Sequence, residues 1–377
     1  MRDRGGRATV TGIHIPGARD STAAIPSESG THDPEEAPHG NDVAPEPPPA
    51  DVTRGAVTAA ALLAGYAADL VVGDPRRWHP VAGFGRAALA LERAMYAPTR
   101  LRGALVVAIL VALPAAGAEL LSRASARGRL GLGRSAALAL LTWVALGGRS
   151  LRREALNVSD LVARGELDRA RGALRALCGR DAAALDGAAL CRAAVESVAE
   201  NSSDAIVGAL LWGALAGPAG VAAYRASNTL DAMLGHRSER YAAFGWAAAR
   251  LDDAMSWPAA RLTAALACLT APLVGGSPRA AIAVARRDGR AHPSPNAGPV
   301  EAAFAGALGL SLGGPLAYDG HVEARPWLGH GRAPGVGDVH RAARLSQIVG
   351  AAAVAVCALA AAGLPRAAQS DTLEPAR

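Results

Sequence analysis

The sequence predicts an all-α fold: a polytopic membrane helical bundle with re-entrant or interfacial segments and a helical insertion of cytoplasmic type. Three observations predict it. The 377 residues are 51% hydrophobic with only 4% aromatic residues, so the apolar content is Ala, Leu and Val. Ala- and Gly-rich apolar segments let helices approach closely, the packing that lipid-embedded bundles favour. Four apolar stretches also have, or approach, the ~20 residues that a bilayer crossing requires. An Ala-rich soluble helical protein is the competing reading of composition alone.

Residues 1–52 are rich in Pro, Gly, Asp and Glu, show no apolar periodicity and end in a Pro-rich run. They read as a disordered leader without the basic-then-apolar layout of a secretory signal. A membrane-embedded domain is expected over 53–364, with a disordered tail at 365–377. The long apolar stretches are Gly55–Val72, Gly103–Leu121, the short Ser135–Gly148, and Gln347–Leu364. Two more, Ala205–Ala223 and Leu262–Gly275, are broken by Pro218, Pro272 and several Gly. Either they dip in and return or the site lies in a cavity at membrane depth, where irregular backbone survives only when protein or water lines it; re-entrant or partly embedded segments are expected. Residues 149–204 carry the amphipathic pattern of surface helices. Arg flanks both ends of the second and third stretches, so the positive-inside rule assigns no orientation.

All 39 basic residues are arginine, which excludes a phosphate-binding P-loop lysine and a Schiff-base lysine. Phosphate, if handled, must meet Arg, backbone amides and a metal. The net charge of +6 is dispersed, so no nucleic-acid partner is expected. The four cysteines lack C-x-x-C spacing and read as buried thiols in a reducing compartment. Hydrolase and dehydrogenase signatures are missing from the sequence.

Polar residues gather in five clusters. Gly73–Arg86 places Asp74, Arg76, Arg77 and His79 where they can meet a phosphate or metal. An ordinary Arg-rich interfacial turn would look the same. In Glu196–Ala205, a continuous helix would put Glu196, Glu200 and Asp204 on one face, with Asn201 beside them. Three stacked like charges call for a facing cation, and hard divalent ions prefer such oxygens; a solvated acidic face is the alternative. Ser227–Asp253 holds Asn228 and Asp231 on one face and Arg250 and Asp253 on another, with Asp252 adjacent. These can be metal ligands or a base, or Asp–Arg pairs that neutralise buried charge. In Arg286–Gly309, prolines hold His292, Ser294 and Asn296 in an extended turn, and Pro299 can start a helix whose amides face an anion. The fifth cluster, Leu312–Gly320, is a Gly-rich turn with Tyr318 and Asp319.

Taken together and in order, these clusters resemble the CobD/CbiB family, the adenosylcobinamide-phosphate synthases of cobalamin biosynthesis. The resemblance runs through GDPRRWHPV, GRD at Gly179–Asp181, ESVAENSSDA, YRASNTLDAMLGHRSERYAAFGWAAARLDD, WPAARLTA, ARRDGRAHPSPNAG and LGGPLAYDG, covering roughly 56–360. The chain departs from the family pattern in having only WHP in the first motif and Pro299 where an aromatic is usual.

The resemblance implies a multi-pass enzyme of the inner (cytoplasmic) cell membrane. It would join adenosylcobyric acid, an adenosylated corrinoid, to aminopropanol or its phosphate, consuming ATP with Mg²⁺. Membrane lipid and other late enzymes of the pathway are its implied partners. Glu196, Glu200, Asn201 and Asp204, with Asn228, Asp231, Asp252 and Asp253, would then supply metal and base positions. Arg76, Arg77, Arg225, Arg250, Arg286 and Arg287 would meet phosphates, while Asp74, His79, His292, Ser294 and Asn296 complete the substrate-binding set. A transporter or a non-catalytic scaffold for corrinoid enzymes is the rival reading; broken helices at membrane depth also build transport sites.

Overall fold

The computed structural model describes residues 50–74, 79–126, 133–236, 238–318 and 321–363. Residues 1–49 of the leader and the whole tail lie outside these residues, as do Arg76, Arg77 and Asp319, while the last three leader residues, 50–52, open the first helix. Thirteen α-helices carry the described chain: α1 Ala50–Val71, α2 Pro80–Met95, α3 Arg100–Ala126, α4 Gly133–Ala145, α5 Gly148–Ala163, α6 Leu167–Leu174 and α7 Gly187–Ser202. After a π-turn at Ser203–Val207 come α8 Gly208–Leu234, α9 Tyr241–Phe244, α10 Trp246–Thr270, α11 Pro278–Asp288, α12 Ala297–Leu308 and α13 Val336–Gly363. The fold is an all-α polytopic membrane bundle. Its described helical runs long and apolar enough to cross a membrane are Arg54–Val71, Arg100–Ser125, Gly187–Leu234, Trp246–Val274 and Val336–Gly363.

Local chemistry explains where helices begin. Pro80 stands at the start of α2, whose amide at Val81 donates to His79 Nδ1 (3.2 Å). Asp186 accepts from Ala189 N at the start of α7 (2.8 Å), and Ser277 caps α11 just before Pro278. Small residues then set the packing. α1 lies between α4 and α13. A Cβ at Gly55 would fall 2.6 Å from Ala361 O on α13, and one at Gly65 would fall 2.7 Å from Ala139 O on α4. Only glycine permits that backbone approach.

The stretch Ala205–Ala223 is broken at Pro218, as expected. Gly217 takes φ 60°, ψ −146° immediately before Pro218, and the helix reverses there. A Cβ on Gly208 would lie 2.1 Å from Tyr224 Cζ. In a straight helix those two residues would stand about 24 Å apart, at 1.5 Å per residue. The Gly217–Pro218 turn therefore folds α8 into two antiparallel arms, returning Asp231 towards the level of Asp204.

Three expectations are corrected. Leu262–Gly275 is no re-entrant segment: it is the second half of α10, which runs unbroken through Pro258 and ends in a 3₁₀ turn at Ala271–Val274. Ser135–Gly148 becomes α4, only 13 residues long. At 1.5 Å per residue it covers about 20 Å, short of a bilayer core. Within the insertion, α5 and α6 are amphipathic surface helices, but α7 is buried along most of its length and packs on α5 and α13. Small side chains on every face of α7 explain how it fits the interior.

Residues between α12 and α13 form a short β-hairpin, pairing Leu312 with Leu328 and Gly313 with Trp327. The four cysteines are free, three of them buried.

Candidate active site

The site forms where α7, the π-turn, the second arm of α8, α10 and α12 meet. Asp204 sits in the π-turn, a local widening of the helix that often accompanies functional sites. The continuous α-helix expected through 196–204 is thus interrupted at its last carboxylate. Asp204 lies within electrostatic reach of Asp252, Glu200, Asp231 and Arg225. Asp252 in turn faces Asp231, Asn228, Asp253 and Ser256, and both its oxygens lie 3.4 Å from Ser256 Oγ. Four of the five proposed catalytic carboxylates therefore converge from three separate elements: Glu200, Asp231, Asp252 and Asp253.

Arg225 is the cation of this pole. Its Nη1 donates to Asn228 Oδ1 (3.3 Å), and Asp74 and Asp204 are its acidic neighbours. Its Nε is buried without a hydrogen-bond partner. Tyr224, fully buried, donates to the carbonyl of Asp204 (3.3 Å) and lies 3.4 Å from Ser256 Oγ. It ties the π-turn to α10.

Glu196 stands apart from the open carboxylates. It is 3% exposed; its Oε2 pairs with Arg180 at 2.7 Å, and its Oε1 accepts from Gly313 N at 2.6 Å. That engagement makes it an anchor of the hairpin. Glu200, one turn on, keeps solvent access while facing Arg325, Arg180, Glu196 and Asp231. Asn201 directs its Nδ2 back to Ser197 O (2.9 Å).

The turn before α12 is built as expected from its polar residues. Ser294 Oγ accepts from Asn296 N (3.3 Å) and Ala297 N (3.1 Å), capping α12, and Ser294 N donates to His292 Nδ1 (3.1 Å). Asn296 Nδ2 donates to Asp253 O (2.9 Å), and its Oδ1 accepts from Arg261 (2.8 Å). The turn is thereby fixed to the acidic segment of α10.

Other members of the expected phosphate set are placed differently. Arg250 is exposed and pairs with Asp253 at 3.1 Å. Arg287 is spent on Asp288 through two hydrogen bonds, and Arg286 is exposed on α11. His79 serves as a helix cap. Arg76 and Arg77 lie outside the described residues.

Sequence reasoning missed Glu301, Arg180 and Arg325. Glu301 on α12 is 5% exposed and faces Glu196, Glu200, Arg325 and Arg180. Burial, reinforced by Glu196 and Glu200, pushes its carboxyl well above the ordinary carboxylate range. A lone acid in an otherwise apolar helix was the available signal.

The fold and this cluster define a class: a polytopic helical membrane protein with a carboxylate–arginine cluster set between a reversed helical hairpin and its neighbours. The chain belongs to the CobD/Cbib protein family, whose model matches residues 62–346. It is 52% identical over 303 residues to "Cobalamin biosynthesis protein CobD" of Mycobacterium tuberculosis, covering 79% of this chain and 95% of that relative. The proteins of the same name from Chromobacterium violaceum and Rhodobacter capsulatus are 44% and 40% identical, covering 74% and 73% of this chain and 88% of each relative. No solved structure matches the chain.

Proposed function

We propose that this protein acts in cobalamin biosynthesis as the ATP-dependent ligase that joins the carboxylate of adenosylcobyric acid to the amine of aminopropanol or its phosphate. It would do so as a multi-pass protein of the cell membrane. Family membership supports the pathway, and the convergence of Glu200, Asp204, Asp231 and Asp252 around Arg225 supports the chemistry.

Carboxylate activation by ATP passes through an acyl phosphate: a substrate carboxylate oxygen bonds to the γ-phosphorus and ADP leaves. The amine nitrogen then bonds to the acyl carbon, phosphate departs, and the ammonium proton goes to a base. Asp252 fits the base role, since it is buried, lies between Asp231 and Ser256, and sits on a rigid helix. Arg225 fits the phosphate-binding role, with a buried Nε free to donate.

Among the described residues, no group of three or more His, Cys, Asp or Glu forms a ready metal cage. Magnesium in nucleotide sites is held by one or two carboxylates together with substrate phosphates, and Asp204, with the accessible Glu200 in electrostatic reach, fits that arrangement. Bound there, MgATP would supply the phosphoryl electrophile.

Purified protein in lipid is given adenosylcobyric acid, MgATP and aminopropanol phosphate, with ADP and amide product followed by mass spectrometry. ADP and amide appearing together, and only with all three substrates, is the expected result. Corrinoid binding without turnover would contradict the reading.

A further inference from the structure

Beside Arg225 lies a cavity of about 240 Å³ between α2, α3, α4 and the second arm of α8. Phe84, Pro114, Val144 and Val221 give it apolar walls, and Arg225 is its one charged lining residue. Pockets for whole small-molecule ligands run from about 300 to 1,000 Å³, so this one suits a single apolar part of a larger molecule. The part must be attached to an anion, because the wall ends at a guanidinium whose buried Nε has no partner. Next to Arg225 in α8, Tyr224 donates to the carbonyl of Asp204 (3.3 Å) and lies 3.4 Å from Ser256 Oγ, which is itself 3.4 Å from both oxygens of Asp252; Asp74 is the other acid beside Arg225. The order along the site is therefore apolar cavity, arginine, carboxylates.

A nucleoside triphosphate presents the matching order of flat base, polyphosphate and phosphate-bound cation. Thr229 adds specificity. Its hydroxyl donates to Arg225 O (2.7 Å), which leaves the oxygen as an acceptor in a cavity otherwise poor in polar groups. An exocyclic amino group on the base supplies the needed donor.

Resting on the ligase reading, we propose that this cavity is the subsite for the purine base of the nucleotide substrate, with Arg225 at the junction of base and phosphates. The base enters between α2 and the returning arm of α8, so the reversed helical hairpin carries both the nucleotide pocket and, through Asp231, part of the acidic pole.

Two measurements test this. The unmutated protein is irradiated with 8-azidoadenosine triphosphate and digested; label should fall on peptides containing Pro80–Phe84 or Val221–Thr229 and disappear with excess ATP. Label confined to other peptides overturns the proposal. Val144→Phe and Ala222→Phe, each filling the cavity, should raise the KM for ATP at least tenfold while leaving the KM of the corrinoid and of the amine unchanged. An unchanged ATP KM overturns the proposal, as does a rise confined to the amine. So does loss of co-purified phospholipid with normal ATP KM, which would make the cavity an acyl-chain pocket. Amide synthesis by the unmutated protein with ADP release, alongside a normal ATP KM in the filled variants, removes the base subsite and leaves the ligase reading standing. ATP-independent amide synthesis removes the ligase reading itself.

Discussion

Glu196 Oε1 accepts a 2.6 Å hydrogen bond from Gly313 N, across a sequence separation of 117 residues. Its other oxygen holds Arg180 at 2.7 Å, with both side chains under 10% exposed. On the other side of the hairpin neck, Asp288 Oδ2 accepts from Gly329 N at 2.8 Å. Two carboxylates on α7 and α11 thus pin the two strands of the hairpin through backbone amides. Trp327 of that hairpin adds a cation–π contact with Arg192, 5.1 Å from the ring centre.

Removing one partner of a buried pair strands the other charge, which typically costs about 3–5 kcal/mol. Glu196→Ala should therefore lower the stability of the detergent-solubilised protein by about that amount, read from thermal unfolding. Glu196→Gln, which keeps an acceptor for Gly313 N, should lose less. Equal melting temperatures for wild type and Glu196→Ala would show that the anchor contributes nothing.

Gly208 lies against the returning arm of the hairpin, where a Cβ would stand 2.1 Å from Tyr224 Cζ. Tyr224 in turn supports the carbonyl of Asp204. Gly208→Ala should cost about 1–3 kcal/mol through overpacking. It should also cut kcat more than it raises any KM, because the displaced ring moves the π-turn. A variant with reduced stability and wild-type kcat would separate the hairpin from catalysis.

Asp288 gives a pH signature. The hydrogen bond from Arg287, followed by that from Gly329 N, holds its carboxyl below the ordinary carboxylate value. A depressed native pKa contributes stability that is fully present above the unfolded value of about 3.9 and is lost as pH falls through the native one. Asp288→Asn should be less stable than wild type at pH 6, and the difference should shrink as acid protonates the wild-type carboxyl. Melting temperatures measured from pH 6 to pH 3 check this; a constant difference would contradict it.

Much of the architecture was legible because its causes are local. Pro218 marked the break in Ala205–Ala223, where the helix reverses. Pro272 misled: it merely tightens the end of α10. The acidic spacing of Glu196, Glu200 and Asp204 singled out one segment, but spacing could not show that Glu196 would pair with Arg180 and a hairpin amide. Glu301 escaped notice because its neighbours in space, Glu196, Glu200, Arg180 and Arg325, are distant in sequence. No residue pattern announced the π-turn that carries Asp204.

The central claim is that Asp204 helps to hold the cation of the nucleotide while Asp252, close beside it, takes the amine proton. Its most direct test is the steady-state turnover of Asp204→Asn and Asp252→Asn across a Mg²⁺ titration. Removing a group that stabilises charge in the transition state typically lowers kcat by about 10²–10³. Both variants should fall by that order at limiting Mg²⁺, and Asp204→Asn should recover in part when Mg²⁺ is raised, whereas Asp252→Asn should not. Near-normal turnover of either variant at limiting Mg²⁺ would contradict the role assigned to it.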